Sequence, residues 1–434
     1  MPKMRSPLKF LSFGIPLALA VFTGLLPVQG AELPSRTLSP LAPRPEWDSL
    51  DAYQGTITRE AFVAALEEVY SPDGGWKQFI RVGENAATIQ TRPGQPDYVL
   101  RFAPSASAAR PVETYWTPAR MMPPVHKPHK PLEGVHIALD PGHIGGRWAM
   151  MEERWFRIGN SDPVQEGNMT LLTAQHLRDR LQALGAKVTL VRSANRPLSK
   201  LSPSRLEDEA LEILKETPGE PIYDTYAGAN DPNKTRSIKW QSELLFYRTS
   251  EIRERAKRVN HKIRPDLVIC LHFNAEAWGD PGSPRLVERN HLHLLVHGAC
   301  SAAELRMEDI RHDMLERLLR RIHHEEFALS ESVAKSMAAA TGLPPYRYGG
   351  SNAIPVGGTG YVWARNLLAN RLYQCPVLYL EPHVMNSQEF FERFVLGDYE
   401  GTRLVRGVSR KSIYREYADS VALGLKEYFE ANRP

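Results

Sequence analysis

Two histidines and two glutamates stand where strand-like runs end or a helix begins, positions from which side chains can meet around a reactive centre. His143 belongs to Asp140-Pro141-Gly142-His143, directly after the apolar run 135–139. Glu166 opens a helical pattern with Asn168, Leu171 and Leu172. His272 ends the run 267–271 and continues as Phe273-Asn274-Ala275, and Glu381 ends the run 377–380 and continues as Pro382-His383. Two imidazoles and a carboxylate are the ligand set of a catalytic zinc site, which keeps a fourth position for water. A second carboxylate nearby can take the proton from that water. Singly, each residue has an ordinary explanation: a histidine caps a strand end, and a glutamate complements a helix dipole. Their joint order is what points to chemistry.

Other polar residues are weighed against plainer roles. His323-His324-Glu325-Glu326 lacks the second histidine of a His-Glu-x-x-His helix, since position 328 is Ala, and reads as a solvated helix face. His291, His293 and His297 fall on one face of a strand by period two, as buried residues or as a second metal site. His383 would share a face with Glu381 if the strand continued, where it could orient a substrate. Arg365 could meet a substrate carboxylate or serve a structural salt bridge.

The elements that must position these residues alternate in type. Short apolar strands are expected at 135–139, 188–191, 267–271, 291–296 and 377–380. Met169, Leu172, Leu177, Leu181 and Leu184 give a helix stripe ending at Gly185, a basic amphipathic helix ends near Ile263, and Tyr417, Val421, Leu425 and Tyr428 mark a final helix. Such alternation argues for an α/β fold, a mostly parallel twisted sheet flanked by helices. In such sheets functional residues gather at the strand ends.

Upstream, residues 51–103 read as a small α+β unit of unassigned function, with a helix capped by Thr58 and strands at 79–82, 87–91 and 98–102. A Pro/Ser-rich linker at 31–50 and a Pro-rich linker at 104–132 flank it. Residues 1–30 have a basic start, an apolar run at 10–26 and small residues at Val28 and Gly30, the pattern of a signal peptide. The alternative is an uncleaved anchor, but the run is short and broken by Ser12, Gly14 and Pro16. The chain is therefore expected to be exported, periplasmic or extracellular, with no stable membrane span after cleavage.

Bulk properties exclude more than they assign. With 42% hydrophobic and 24% charged residues, the composition is that of an ordinary globular protein. Removing Lys3, Arg5 and Lys9 with the leader leaves a net charge of +1, three units below the whole chain's +4. That balance gives no basis for nucleic-acid binding, which needs clustered positive charge. Cys270, Cys300 and Cys375 are too few for a disulfide scaffold; one bridge is possible, and the plainer reading is small buried apolar residues.

The order of motifs resembles the zinc-dependent N-acetylmuramoyl-L-alanine amidases. Their Asp-Pro-Gly-His-Gly-Gly signature is matched by Asp140-Pro141-Gly142-His143-Ile144-Gly145-Gly146, with Ile144 inserted. Gln165-Glu166-Gly167-Asn168, Val191-Arg192, Arg248…Arg255…Asn260, His272-Phe273-Asn274-Ala275 and Pro376-Val377-Leu378-Tyr379-Leu380-Glu381 with Asn386 beyond look like the motifs that follow. The resemblance implies a catalytic domain over 133–434, with insertions near 194–244 and 276–329. It implies Zn²⁺ held by His143, Glu166 and His272, with Glu381 as general base and peptidoglycan as substrate. Asp140 and Asn274 would fix the ligand loops, or Asp140 would satisfy backbone donors in its own turn. Departures are the long, aromatic-rich interval between His143 and Glu166 and the Pro382-His383 pair. A stem-peptide zinc peptidase and a non-catalytic wall-binding protein are the competing readings.

Within the second insertion, Met307, Ile310, Met314, Leu318 and Ile322 recur at helical spacing and must be buried against something. Two outcomes are open. The helix is a lid over the zinc site, displaced by substrate or by an unidentified protein activator, or it packs permanently on the domain's side.

Overall fold

Every residue of the run Leu-Val-Ile-Cys-Leu at 267–271 is apolar, so a strand made from it must be covered on both faces. That is the signature of an interior strand in a parallel sheet. In the computed structural model, which describes residues 36–217 and 219–434, all five are buried at the heart of a seven-stranded sheet. The strands are β1 His136–Pro141, β2 Lys187–Leu190, β3 Leu267–Leu271, β4 Leu292–Val296, β5 Ile354–Pro355, β6 Val362–Ala364 and β7 Val377–Pro382. Their order is β5-β6-β4-β7-β3-β1-β2. β2, β1, β3 and β7 run parallel, β4 and β6 run the other way, and β5 reverses again at the edge. The fold is thus α/β, with a mostly parallel sheet between helical layers.

Alternation within each strand sorts its side chains between the two layers. Ile137, Leu139, Ile269, Leu271, Leu378 and Leu380 meet helices α1 Glu166–Ala183, α3 Ile322–Thr341 and α4 Ile413–Asn432 through Leu177, Val333 and Val421. The opposite face, with Ala138, Val268, Cys270 and Tyr379, packs against Ala256 and Val259 of the helical stretch 238–263. All three cysteines are buried and unpaired, so the possible bridge is not formed.

The leader expected at 1–30 lies outside the described residues, as does the start of the following linker. Among the described residues no helix is long and apolar enough to cross a membrane. The upstream unit folds as a three-stranded antiparallel sheet, Ile80–Val82, Ala86–Ile89 and Tyr98–Arg101, beside a short helix capped by Thr58.

Helix α2, Glu308–Leu319, decides between the two outcomes left open for its apolar stripe. Ile310, Met314 and Leu318 are buried in one cluster with Leu50, Phe62, Leu66 and Leu100 of the upstream unit. Polar contacts reinforce this placement. The Trp47 indole N–H donates to Glu308 Oε1 at 2.9 Å, and Arg311 donates to the Gln90 and Thr91 carbonyls. The stripe is core shared with the upstream unit, and the helix is packed on the domain's side rather than lying over the ligand loops as a lid. Burial of so much apolar area is worth several kcal/mol.

Candidate metal centre

The chain leaves β1 through a loop held by hydrogen bonds to many of its backbone groups. Arg192 donates to the carbonyls of Pro141 (2.9 Å) and Gly142 (3.0 Å), and Arg255 donates to those of Pro141 (2.8 Å) and His143 (2.7 Å). The buried Glu152 carboxylate accepts from the N–H groups of Ile144 (2.8 Å) and Gly145 (2.9 Å), and Asn168 Oδ1 accepts from that of Gly146 (2.7 Å). A buried backbone left unpaired would cost as much as a lost hydrogen bond, so this set pins the loop. It holds His143 at φ +57°, in the left-handed region where a non-glycine residue needs such support. The inserted Ile144 is fully buried among Leu206, Ala210, Leu244 and Phe246, so the segment 194–244 buttresses the loop from outside.

Glu166 begins α1 against that loop. Gly145 and Gly167 meet backbone to backbone: a Cβ on Gly167 would lie 2.3 Å from Gly145 N, which brings the helix start close enough for the carboxylate to reach both histidines. Glu166 Oε2 is 3.1 Å from His143 Nε2, and Glu166 Oε1 is 3.0 Å from His272 Nδ1. The Phe273 N–H donates to Oε1 at 3.1 Å. His272 lies flat on Tyr379, with ring centroids 4.7 Å apart, and edge-on to His143 at 5.3 Å.

His143, Glu166 and His272 form the one His/Cys/Asp/Glu group among the described residues with metal-ligand spacing, each offering an atom within 4.8 Å of the others. One detail tests the fit. Glu166 Oε2 is buried without a hydrogen bond, although His143 Nε2 and the Arg154 Nε, at 3.0 Å, crowd it. Beyond the ion pair with Arg154 this oxygen has no well-aligned hydrogen bond, and a divalent cation shared with two imidazoles would satisfy it.

Electrostatics separate the two glutamates. Burial works to raise the Glu166 carboxyl, but His143 and His272 outweigh it and hold it well below the usual range. Burial and the charge of Glu166 push Glu381 up to about 8, with Arg154, His143 and Arg365 pulling it back. Burial lowers His272, whereas His143, also opposed by burial, is raised by Glu166 and Glu152.

The remaining expected residues scatter. Asp140 is buried against Arg255 Nη1 at 3.0 Å and accepts the Tyr373 hydroxyl, so it braces the helix arginine that grips the loop rather than its own backbone donors. Asn274 Oδ1 accepts from the Ala275 N–H at 2.7 Å, while its backbone bridges to His383 and Met385. His383, at φ +62°, turns out of the strand. Its ring is buried beside Phe273 and Phe390 with neither nitrogen hydrogen-bonded, so the expected shared face with Glu381 is not made. Arg365 forms no salt bridge among the described residues and donates to the Tyr348 hydroxyl at 3.3 Å. His291, His293 and His297 bring no third ligand together among the described residues.

Glu152 and Arg154 are the residues that sequence reasoning missed. The available signal was the Glu152-Glu153-Arg154 charge cluster amid Trp148, Met150, Met151, Trp155 and Phe156. Charges set in an apolar segment are buried only when paired. The small antiparallel pairing of Trp155–Phe156 with Val164–Gln165 folds that interval back over Glu166.

No family model and no curated protein matches the chain. Solved structures do match. One is the N-acetylmuramyl-L-alanine amidase Ami1 of Mycobacterium abscessus, at 17% identity and TM-score 0.35 over 68% of this chain and 99% of that one. Another is the CwlD amidase of Clostridioides difficile, solved in complex with the GerS lipoprotein, at 13% identity and TM-score 0.36 over 69% and 100%. A third is the catalytic domain of CwlV, an N-acetylmuramoyl-L-alanine amidase from Bacillus (Paenibacillus) polymyxa, at 14% identity and TM-score 0.34 over 68% and 98%.

Proposed function

We propose that this chain is an exported zinc hydrolase that cleaves the amide between N-acetylmuramic acid and L-alanine in peptidoglycan. The observation that carries the reading is the His143–Glu166–His272 group, with Glu381 beside it on the sheet. The order of motifs from Asp140 to Glu381 directs that chemistry to the wall amide.

Bound by these three side chains, zinc would supply a Lewis acid and acidify a water. The chain's own groups do the rest. Glu152 and Arg255 hold the His143 loop, and Phe273 N–H and Arg154 orient Glu166. The Glu381 carboxylate takes a proton from water and returns it to the departing alanine nitrogen. Burial and the neighbouring Glu166 charge push the Glu381 carboxyl up, which makes it a stronger base than an ordinary glutamate.

Digestion of purified sacculi by the zinc-loaded protein, followed by mass analysis, tests the reading. The expected products are peptides with a free N-terminal L-alanine and intact glycan. Released amino acids would identify a stem-peptide peptidase instead, and full activity in metal-free protein would sink the zinc assignment. Glu381→Gln should keep its zinc and lose roughly 10²–10⁴-fold in rate. Loss of zinc in that variant would make Glu381 a ligand and reverse the roles.

A further inference from the structure

Burying a guanidinium without a counter-charge is expensive, and this chain otherwise avoids it. Arg255 meets Asp140 and Glu251, Arg317 meets Glu326, Arg371 meets Asp313, and Arg393 meets Glu416. Arg192 and Arg311 lack a carboxylate but each donates to several carbonyls. Arg365 has neither. It is 8% exposed, and among the described residues its side chain's one hydrogen-bond partner is the Tyr348 hydroxyl and its buried Nε has none. Its guanidinium also lies over the Tyr348 ring, 5.2 Å from the centroid.

That arginine belongs to a chain of contacts leading to the general base. The Tyr348 hydroxyl is 3.0 Å from His293 Nε2, and His293 sits directly across the antiparallel β4–β7 pair from Glu381. Side chains at such paired positions are neighbours on one face, roughly 5 Å apart at Cβ. Tyr346 covers the outer side of His293, with ring centroids 5.0 Å apart, and is half-buried like Tyr348. The result is a partly buried polar cluster beside the base, in which Arg365 has no carboxylate within ion-pair distance among the described residues.

We propose that Arg365 and the Tyr348 hydroxyl anchor a free carboxylate on the peptide side of the scissile amide, and so select the stem peptide; this rests on the amidase reading. A guanidinium fork is suited to a carboxylate. Stem peptides offer two such groups near the cut. The acidic second residue is joined through its side chain and leaves its α-carboxyl free unless amidated, and a diaminopimelate third residue carries a further carboxyl.

The test uses zinc-loaded full-length protein and muropeptides matched in pairs: free acid against amide at the second residue, and diaminopimelate against lysine at the third. Wild type should favour the free carboxylate at one of these positions by roughly 10- to 100-fold in kcat/KM, the worth of a hydrogen-bonded charge. The position that discriminates identifies the source. Arg365→Gln should erase the discrimination, chiefly through KM, while Arg365→Lys restores part of it and Tyr348→Phe loses part. Zinc content and melting confirm that each variant is folded; if Arg365→Gln is not, the other two variants carry the comparison.

No discrimination by wild type at either position overturns the proposal. So does an equal loss on acid and amide substrates in Arg365→Gln, which would make Arg365 a counter-ion for Glu381. A separate arm titrates the zinc-loaded protein calorimetrically with the product peptides, acid and amide. Tighter binding of the acid form by wild type but not by Arg365→Gln would support the anion site even if no muropeptide were cut. Absence of cutting would then count against the amidase reading alone, whereas equal binding of acid and amide would overturn the anion site.

Discussion

A Cβ placed on Gly142 would lie 2.3 Å from Cε1 of the His272 ring, closer than real Cβ contacts allow. The loop that presents one metal-binding histidine therefore presses its backbone against the other, and the absence of a side chain at 142 sets the His143–His272 spacing. Gly142→Ala must displace the His272 ring, which Tyr379 backs from the other side at 4.7 Å. Zinc affinity should fall by roughly 10–100-fold, the scale for misplacing a ligand, while the melting temperature of the metal-free protein stays near wild type. Competition with a chromophoric chelator reads the affinity, and an unchanged value would show that the ring has room to move.

Glu152 ties the same loop from the side. It accepts from two backbone N–H groups and lies 3.5 Å from His143 Nδ1. Glu152→Gln keeps the shape, but its single carbonyl oxygen cannot serve both N–H groups with a full charge. A loss of roughly 10–100-fold in zinc affinity is expected, with activity recovering as zinc is raised. If excess zinc leaves the rate depressed, Glu152 does more than orient the ligand.

Leu318→Ala separates a buttress from a gate. Leu318 is fully buried between the upstream unit and the sheet domain, so truncation should cost about 2–5 kcal/mol. Thermal melts report that loss. The initial rate of the folded fraction on sacculi should not rise, and a several-fold increase would restore the idea of a lid.

Asp313 supplies a pH dependence away from the metal. Burial pushes its carboxyl up to about 7; Arg371, at 3.2 Å, pulls it down, while Asp309 and Glu316 raise it further. A carboxyl raised in the folded state holds a proton that the unfolded chain has released. Stability therefore falls as pH rises from about 4 to about 7, then levels off. Asp313→Asn should remove this component, on the order of 1–4 kcal/mol, so its melting temperature should fall less than wild type's between pH 5 and pH 8. Parallel curves for the two proteins would discount it.

Much was legible before any tertiary contact was known, because it depends on local order. The largely apolar runs at 135–139, 267–271 and 377–380 read as buried strands; His272 and Glu381 follow theirs directly, and His143 follows after Asp140-Pro141-Gly142. Glu166 could be placed at a helix start because the stripe behind it repeats with helical period. The stripe of α2 likewise required burial, but not against any particular surface. Only the fold decided that its partners are Leu50, Phe62 and Leu100, more than 200 positions away in the chain.

The same limit hid Glu152 and Arg154, whose charges acquire meaning only when the 155–156 and 164–165 segments pair and bring them to the His143 loop and Glu166. It also hid His293. A strand's sequence states which residues share a face, but not which neighbour it pairs with or in which direction. The reversal of β4 against β7, set by how the whole sheet closes its core, is what puts His293 opposite Glu381 and leaves Arg365 unpaired beyond it. Local periodicity determined which side chains would point together, and long-range pairing determined which of them would meet.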